Sequence, residues 1–172
     1  WVGGTIIDLS ITENNQDMYY VLALSEVSGN GTDTITFGNC YWGGKKVIFQ
    51  SNGYDVAYLL DESTNVTDDT VAGKMQFYFY RNGSFAPTNS SQSAISIMQS
   101  SGLTYTWDSN KLMSNCAFVI IHLTYNQDAG VTGLQQTKFN LINSRTDTGD
   151  CLYDYLTNTV YGCAIPASQV DT

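Results

Sequence analysis

The sequence predicts an all-β fold, an antiparallel β-sandwich formed by one domain over residues 1–172. Helical periodicity is nearly absent, whereas short segments of alternating apolar and polar residues recur between clusters of Gly, Asn, Asp and Ser. Turn signals separate these segments at intervals of about 8 to 12 residues, the spacing typical of sandwiches and barrels. A chain of this length removes roughly 70% of its surface from water on folding, so a self-sufficient core is expected.

The first two predicted strands form a hairpin. Residues 7–12 alternate apolar and polar side chains, so we expect Leu9 and its apolar neighbours toward the core and Ser10 and its polar neighbours toward water. Residues 13–17 are polar throughout and predict the turn. Residues 18–24 are richly apolar and predict a strand in the middle of a sheet.

A three-stranded meander is predicted next. Gly43-Gly44 supplies the positive φ angles of a tight hairpin turn, and it joins predicted strands at Thr34–Trp42 and Lys45–Ser51. Asn52-Gly53 is a second such turn, which leads into a strand at Tyr54–Leu60.

The rest of the chain alternates strands with long loops. Residues 61–73, with four carboxylates, and the Ser- and Gln-rich residues 86–102 are predicted to be exposed loops. Cys116–Tyr125 is the most apolar segment and predicts a strand buried on both faces, while Leu152–Leu156 fits a strand or a single helical turn. The other predicted strands are Lys74–Tyr80, Leu103–Trp107, Thr137–Ile142 and Val160–Ile165.

Charge excludes two classes of partner. The net charge of −9 repels phosphate backbones and anionic lipids, so neither nucleic acid nor membrane insertion is expected. The charged fraction is only 13%, about half the usual value of roughly 25%, so Ser, Thr, Asn, Gln and Gly must form most of the surface. Such surfaces occur on extracellular and virion β-proteins.

The cysteine pattern excludes a zinc site but leaves the redox state open. The four cysteines are far apart and lack any Cys-x-x-Cys pair, and they are Cys40, Cys116, Cys151 and Cys163. Two disulfides and four thiols both remain compatible with the sequence, because a core of this size does not need covalent bridges. The four Asn-x-Ser/Thr triplets do not settle the compartment, because chance alone predicts about as many.

Catalytic residues are not evident, so the chain is not expected to be an enzyme. The single histidine, His122, lies among apolar residues of a predicted strand, which favours a structural role over a catalytic one. A glycosidase would need two carboxyl groups facing a cleft, and the three glutamates, Glu13, Glu26 and Glu62, occupy a turn, a strand end and a loop. No carboxylate run follows the order of a calcium loop, and neither a cofactor nor a metal is predicted.

Aromatic side chains are unusually dense in the predicted hairpins. Tyr78 and Tyr80 lie on the strand face opposite Phe77 and Phe79. One interpretation is a core with scattered exposed tyrosines; the other is a second aromatic face, covered by another subunit or used as a platform for glycans. The second interpretation predicts that copies of the chain associate.

The order of segments resembles the adenovirus fibre head, the trimeric knob at the tip of the viral spike. Trp1 resembles the tryptophan found where the shaft gives way to the head. The segment IIDLSITENNQDMYYVLALSEVSG resembles the first two strands of the knob. Later knob strands resemble, in order, VAGKMQFYFYRNGSF, CAFVIIHLTYN, TKFNLINSR and TVYGCAIPA. Residues 34–60 are longer than the matching stretch and resemble an inserted hairpin, and the ending AIPASQVDT departs from the usual terminal motif.

The resemblance implies a non-enzymatic function. A fibre head is a β-sandwich with Greek-key type connections, forms a homotrimer that here would bury the aromatic second face, and follows a fibre shaft on its N-terminal side. It would bind a host-cell receptor, either a cell-adhesion protein or a sialylated or other glycan. It would act at the virion surface after assembly in the host nucleus, with its cysteines reduced and its sequons unused. The alternative is a carbohydrate-binding, lectin-like domain of a bacterial adhesin or secreted glycosidase.

Receptor contacts are expected from two places in the chain. The adjacent Lys45 and Lys46 are unusual in so acidic a sequence and suggest a site for an anionic sugar. They also fit an edge strand whose charged side chains prevent pairing with a strand of another chain. The expected contact residues are Glu13, Asn14, Asn15, Gln16 and Asp17 in the first turn, and Trp42, Lys45 and Lys46 at the tip of the inserted hairpin.

Overall fold

The structure is a computed structural model that describes residues 1–27, 35–100, 102–144, 147–159 and 162–170. Its contacts cluster into two compact units, Trp1–Ile142 and Asn143–Thr172. The single domain over residues 1–172 stays a prediction.

Two antiparallel sheets form the larger unit and confirm the predicted β-sandwich. The strands in chain order are β1 (Thr5–Ile11), β2 (Asp17–Glu26), β3 (Ile35–Trp42), β4 (Lys45–Phe49), β5 (Val56–Asp61), β6 (Val66–Asp68), β7 (Met75–Tyr80), β8 (Cys116–Thr124) and β9 (Thr137–Asn143). The four-stranded sheet has the order β1-β2-β8-β7, and the five-stranded sheet has the order β6-β5-β4-β3-β9. The predicted meander is therefore present as β3, β4 and β5, and the strand β6 lies inside the segment predicted to be an exposed loop.

Strand β8 lies at the centre of the four-stranded sheet and is buried on both faces, as its unbroken apolar run predicted. Val119, Ile121 and Leu123 contact the core between the two sheets, whereas Phe118 and Ile120 face the opposite side. Strand β7 shows the same division, because Met75, Phe77 and Phe79 point between the sheets while Tyr78 and Tyr80 point away. Each such buried side chain contributes roughly 1.5–3 kcal/mol to folding.

The second face of the four-stranded sheet is covered by the chain itself. Residues 84–100 and 102–113, the covering segment, lie over it, and they include a short helix, α1 (Ala94–Met98), and the indole of Trp107. Tyr78 and Tyr80 are both buried beneath this segment. The interpretation in which another subunit covers Tyr78 and Tyr80 is therefore wrong, because one chain buries both side chains.

The helix α1 replaces part of the predicted surface loop. Ser93 caps its N-terminus by accepting a hydrogen bond from the Ser96 amide at 3.1 Å. Its five residues are too few to produce a recognisable helical period, so the helix was not predicted from the sequence. The same cover includes the predicted strand Leu103–Trp107, which forms only an isolated bridge between Leu103 and Thr12.

The faces of β1 are opposite to the prediction. Ser10 is only 2% exposed, whereas Leu9 is 43% exposed. The hydroxyl of Ser10 donates to the carbonyl of Tyr105 at 2.6 Å, and the Thr104 amide donates to Ile11 at 2.9 Å. The covering segment therefore packs on the polar face of β1, and the apolar side chains of this edge strand are left toward solvent.

The smaller unit contains helix α2 (Thr148–Thr157), where the sequence allowed a strand or one helical turn, and a short 3₁₀ helix at Ala167–Gln169. The chain returns along α2, because the Ile165 amide donates to the carbonyl of Leu156 at 2.8 Å. The final predicted strand, Val160–Ile165, lies partly outside the described residues, and its described part, 162–165, is not a strand.

Candidate ligand-binding groove

The hairpin between β3 and β4 turns at Gly43-Gly44, as the sequence predicted. Both glycines have positive φ angles, 55° and 84°, which side chains disfavour. Tyr41 pairs with Lys46 and Trp42 pairs with Lys45 across the hairpin.

Trp42 and Tyr41 point to opposite faces of this hairpin. Trp42 is only 4% exposed and packs edge-on against Phe77 in the core, with ring centroids 6.1 Å apart. Tyr41 directly precedes Trp42 in the strand and therefore points to the opposite, outer face of the sheet. We correct the expected contact residue accordingly: Trp42 supports the hairpin from inside, and Tyr41 is the ring available to a ligand.

Lys45 and Lys46 do not form a joint cationic site. Successive side chains of a strand point to opposite faces, so the two ammonium groups separate. Lys45 lies 3.4 Å from Asp68 and Lys46 lies 3.4 Å from Glu62, and each is therefore paired with a carboxylate. The reason for proposing an anionic sugar at this pair no longer holds, although contact by either lysine stays a prediction.

An open groove of about 620 Å³ lies beside Tyr41. Residues 1–3 form one wall because Val2 pairs with Phe139 of β9 through two backbone hydrogen bonds of 3.0 and 2.8 Å. The hydroxyl of Thr137 holds the same wall by donating to the carbonyl of Gly3 at 2.9 Å. The side chains that line the groove include those of Trp1, Tyr41, Gln136 and Lys138.

The two rings of the groove are oriented by each other. Trp1 is 65% exposed, and its ring meets that of Tyr41 edge-on with centroids 5.4 Å apart. The Tyr41 hydroxyl donates to Glu62 at 2.7 Å, a bond that raises the pKa of Tyr41 and lowers the pKa of Glu62. Tyr41 is thus tied down at its hydroxyl while its ring face remains accessible.

The groove contains one cation that the protein does not neutralise. Among the residues that the structure describes, Lys138 has no ion-pair partner, in contrast to Lys45 and Lys46. The groove therefore offers aromatic ring surface, a primary amide and an ammonium group. Such groups can take part in stacking and hydrogen bonding with a ligand.

The predicted contact residues of the first turn lie in the other sheet. Glu13, Asn14, Asn15 and Gln16 are exposed, and Asn15 adopts a positive φ of 55° at the tip. Asp17 differs, because its carboxylate lies 2.8 Å from both the His122 ring and the Thr124 hydroxyl. None of the contacts found in the described residues joins this turn to the β3–β4 hairpin, so the two predicted places are not one site.

A polar row crosses the outer face of the four-stranded sheet, and sequence reasoning missed it. His122 lies 2.8 Å from Asp17 through Nε2 and 2.7 Å from the Gln76 side-chain oxygen through Nδ1, and Gln76 donates to Asp55 at 2.6 Å. Tyr19 stacks on the His122 ring with centroids 4.2 Å apart. Both ring nitrogens are used by the protein, an arrangement that suits a structural histidine and leaves neither nitrogen for a substrate.

The described carboxyl groups show no raised pKa of the kind that glycoside hydrolysis uses. A general acid in such a site has a raised pKa. In the described part of the chain, every carboxyl group with a clearly shifted pKa has it lowered, and these are Asp8, Asp61, Glu62 and Asp68. Asp61 and Asp68 instead cap turns by accepting hydrogen bonds from the residues that follow them.

Metal-binding clusters and membrane-spanning helices are both absent from the described residues. These residues contain no group of three His, Cys, Asp or Glu side chains placed to hold a metal ion. They also contain no helix whose length and apolar character would let it cross a membrane.

Comparison with known proteins found no matching protein family, no matching curated protein and no matching solved structure. The groove is thus defined by its geometry alone. Alternation along β3 could have identified Tyr41 as the outward ring. The neighbourhood of Trp1 and Lys138 could not have been found that way, because it depends on a backbone pairing between residues 2 and 139.

Proposed function

We propose that this chain is the receptor-binding head of a viral attachment fibre and that it contacts its receptor through the outer groove. The observation that carries the proposal is the exposed indole of Trp1 held edge-on against Tyr41 beside an unpaired Lys138. The resemblance to the adenovirus fibre head supplies the biological setting.

The groove suits recognition of a surface ligand. Its volume of about 620 Å³ lies within the range of roughly 300–1,000 Å³ that is usual for ligand sites. Tyr and Trp supply large contact area at low cost in conformational entropy, and for that reason they are frequent where proteins bind partners. An exposed aromatic face also stacks on the apolar face of a sugar ring, while Gln136 and Lys138 can hydrogen-bond its hydroxyl groups.

A monomeric carbohydrate-binding domain is the second candidate, and the cover over Tyr78 and Tyr80 favours it. Because one chain buries its own second face, the aromatic residues no longer require a trimer. A trimer would have to use other surface, such as the exposed apolar side chains of β1, which are Ile6, Ile7 and Leu9. Light scattering distinguishes the candidates, because a fibre head has three times the 18.9 kDa of one chain.

The groove itself is tested by binding of the chain to a glycan array and to susceptible cells. We expect Trp1→Ala and Tyr41→Ala each to weaken binding roughly tenfold or more, because each removes a central aromatic contact. The matched control is Tyr125→Ala, which removes an exposed tyrosine outside the groove. Equal binding by all three variants and the unchanged chain would show that the receptor binds elsewhere.

A further inference from the structure

A second cavity, separate from the groove, opens at the end of the sandwich where β3 begins and β4 and β7 end. Its volume is about 380 Å³. Its main lining side chains are Thr36, Phe37, Phe49, Phe79, Arg81 and Asn89. It shares no lining residue with the groove, so a ligand bound here would not compete with one bound beside Trp1.

Three phenyl rings form the floor of this cavity. The Phe37 and Phe79 rings lie 4.8 Å apart, and the Phe49 ring meets Phe79 nearly at right angles with centroids 6.1 Å apart. Phe79 is buried, whereas Phe37 and Phe49 are only half-buried, so ring surface remains exposed. Covering that surface with an apolar group is favourable, because it removes apolar area from water.

One wall of the cavity is rigidly held by Asn89. Its side-chain oxygen accepts a hydrogen bond from the Phe79 amide at 2.9 Å. Its side-chain nitrogen donates to the carbonyls of Gly53 and Phe77 at 2.9 and 2.7 Å. The amide group thus joins the Asn52-Gly53 turn to β7 and keeps this wall in place before any ligand arrives.

Arg81 places an uncompensated cation at the cavity. Its backbone amide donates to Ala86, but among the described residues its guanidinium has no ion-pair partner. In this chain of net charge −9, Lys45, Lys46 and Lys111 are each paired with a carboxylate, whereas Arg81, like Lys74 and Lys138, has no ion-pair partner among the described residues. A guanidinium presents parallel N–H groups that match the two oxygens of a carboxylate.

We propose that this cavity binds a small amphiphilic carboxylate, an aromatic or branched aliphatic acid. Its apolar part lies on the phenyl floor and its carboxylate pairs with Arg81. The cavity volume is at the lower end of the range for ligand sites, which suits a molecule of one ring or one short branched chain. The charge complementarity of Arg81 selects an acid over an alcohol or amine of the same shape.

The test is an NMR titration of the chain with 3-phenylpropionate and, in parallel, with the neutral 3-phenylpropan-1-ol. We expect the acid to shift the amide signals of Gly38, Gly53 and Arg81 and to bind roughly three- to tenfold more tightly than the alcohol. Arg81→Gln should remove the preference for the acid. Lys74→Gln is the matched control, because it removes another cation outside the cavity.

A second variant tests the cavity without removing a cation. Thr36→Trp adds a large side chain at an exposed lining position and should abolish binding of both compounds while leaving the spectrum dispersed. Equal affinity for acid and alcohol, or an unchanged preference in Arg81→Gln, would overturn the assignment of an acid. Unchanged binding in Thr36→Trp, or shifts confined to the groove beside Tyr41, would overturn the assignment of the cavity.

Discussion

Asp8 fastens the covering segment to the four-stranded sheet, and Asp8→Asn tests that role. One carboxylate oxygen accepts hydrogen bonds from the Trp107 indole at 2.7 Å and from the Lys111 ammonium at 2.6 Å. The other oxygen accepts from the Leu9 amide at 2.9 Å. The Asp8 side chain is only 14% exposed, so these contacts are largely shielded from water.

The expected loss of stability follows from these contacts. Asp8→Asn keeps the shape of the side chain but removes its charge, so it loses the ion pair with Lys111 and weakens the bond to Trp107. A hydrogen bond to a charged group contributes about 1.5–3 kcal/mol when it is shielded. Lys111 is about a third exposed and regains water when its partner is lost. We therefore expect the free energy of unfolding to fall by about 1–3 kcal/mol.

The same contact predicts a dependence on pH. Burial raises the pKa of Asp8, but the hydrogen bonds from Lys111, Trp107 and Leu9 together lower it by more. The pKa of Asp8 in the folded state therefore lies below the ordinary value of 3.8. A carboxyl group with a depressed pKa stabilises the fold above its unfolded pKa, and this contribution is lost as the pH falls through the folded pKa. The difference between the parent chain and Asp8→Asn should be constant from pH 6 to 8 and should shrink below about pH 4.

Urea unfolding at pH 7 and pH 3, followed by tryptophan fluorescence, measures this difference. Hydrogen exchange adds a local readout, because loosening of the cover should speed exchange of the α1 amides more than that of the β8 amides. Asp128→Asn is the matched control, since it removes an exposed carboxylate that makes none of these contacts. The reasoning fails if Asp8→Asn unfolds at the same urea concentration as the parent chain, or if α1 stays equally protected.

Two further predictions concern single side chains. Asn89→Ala should lower the free energy of unfolding by about 3 kcal/mol in urea titrations, because the Phe79 amide and two carbonyls lose their hydrogen-bond partner. A loss below about 1 kcal/mol would contradict the role of Asn89 in holding the cavity wall. Cys40 should resist thiol reagents at pH 8 until the chain is unfolded, because burial raises the pKa of its thiol to about 12. Rapid labelling of native Cys40 would show that this part of the core opens.

Local patterns in the sequence determined the strand framework. Alternation along β7 correctly divided Phe77 and Phe79 from Tyr78, and the apolar run of β8 correctly predicted a central strand buried on both faces. The Gly43-Gly44 turn was equally readable, because the positive φ angles it needs are almost exclusive to glycine. These features depend on neighbours within a few residues, and such information is present in the order of the amino acids.

Tertiary structure alone decided which surfaces are covered and where a ligand can bind. Ser10 is buried and Leu9 exposed because a segment almost a hundred residues later packs on the polar face of β1, through the bond from Ser10 to Tyr105. Trp1 meets Tyr41 because residue 2 pairs with residue 139. Contacts over such separations depend on the packing of the whole domain, so they cannot be predicted from the residue pattern of a single strand.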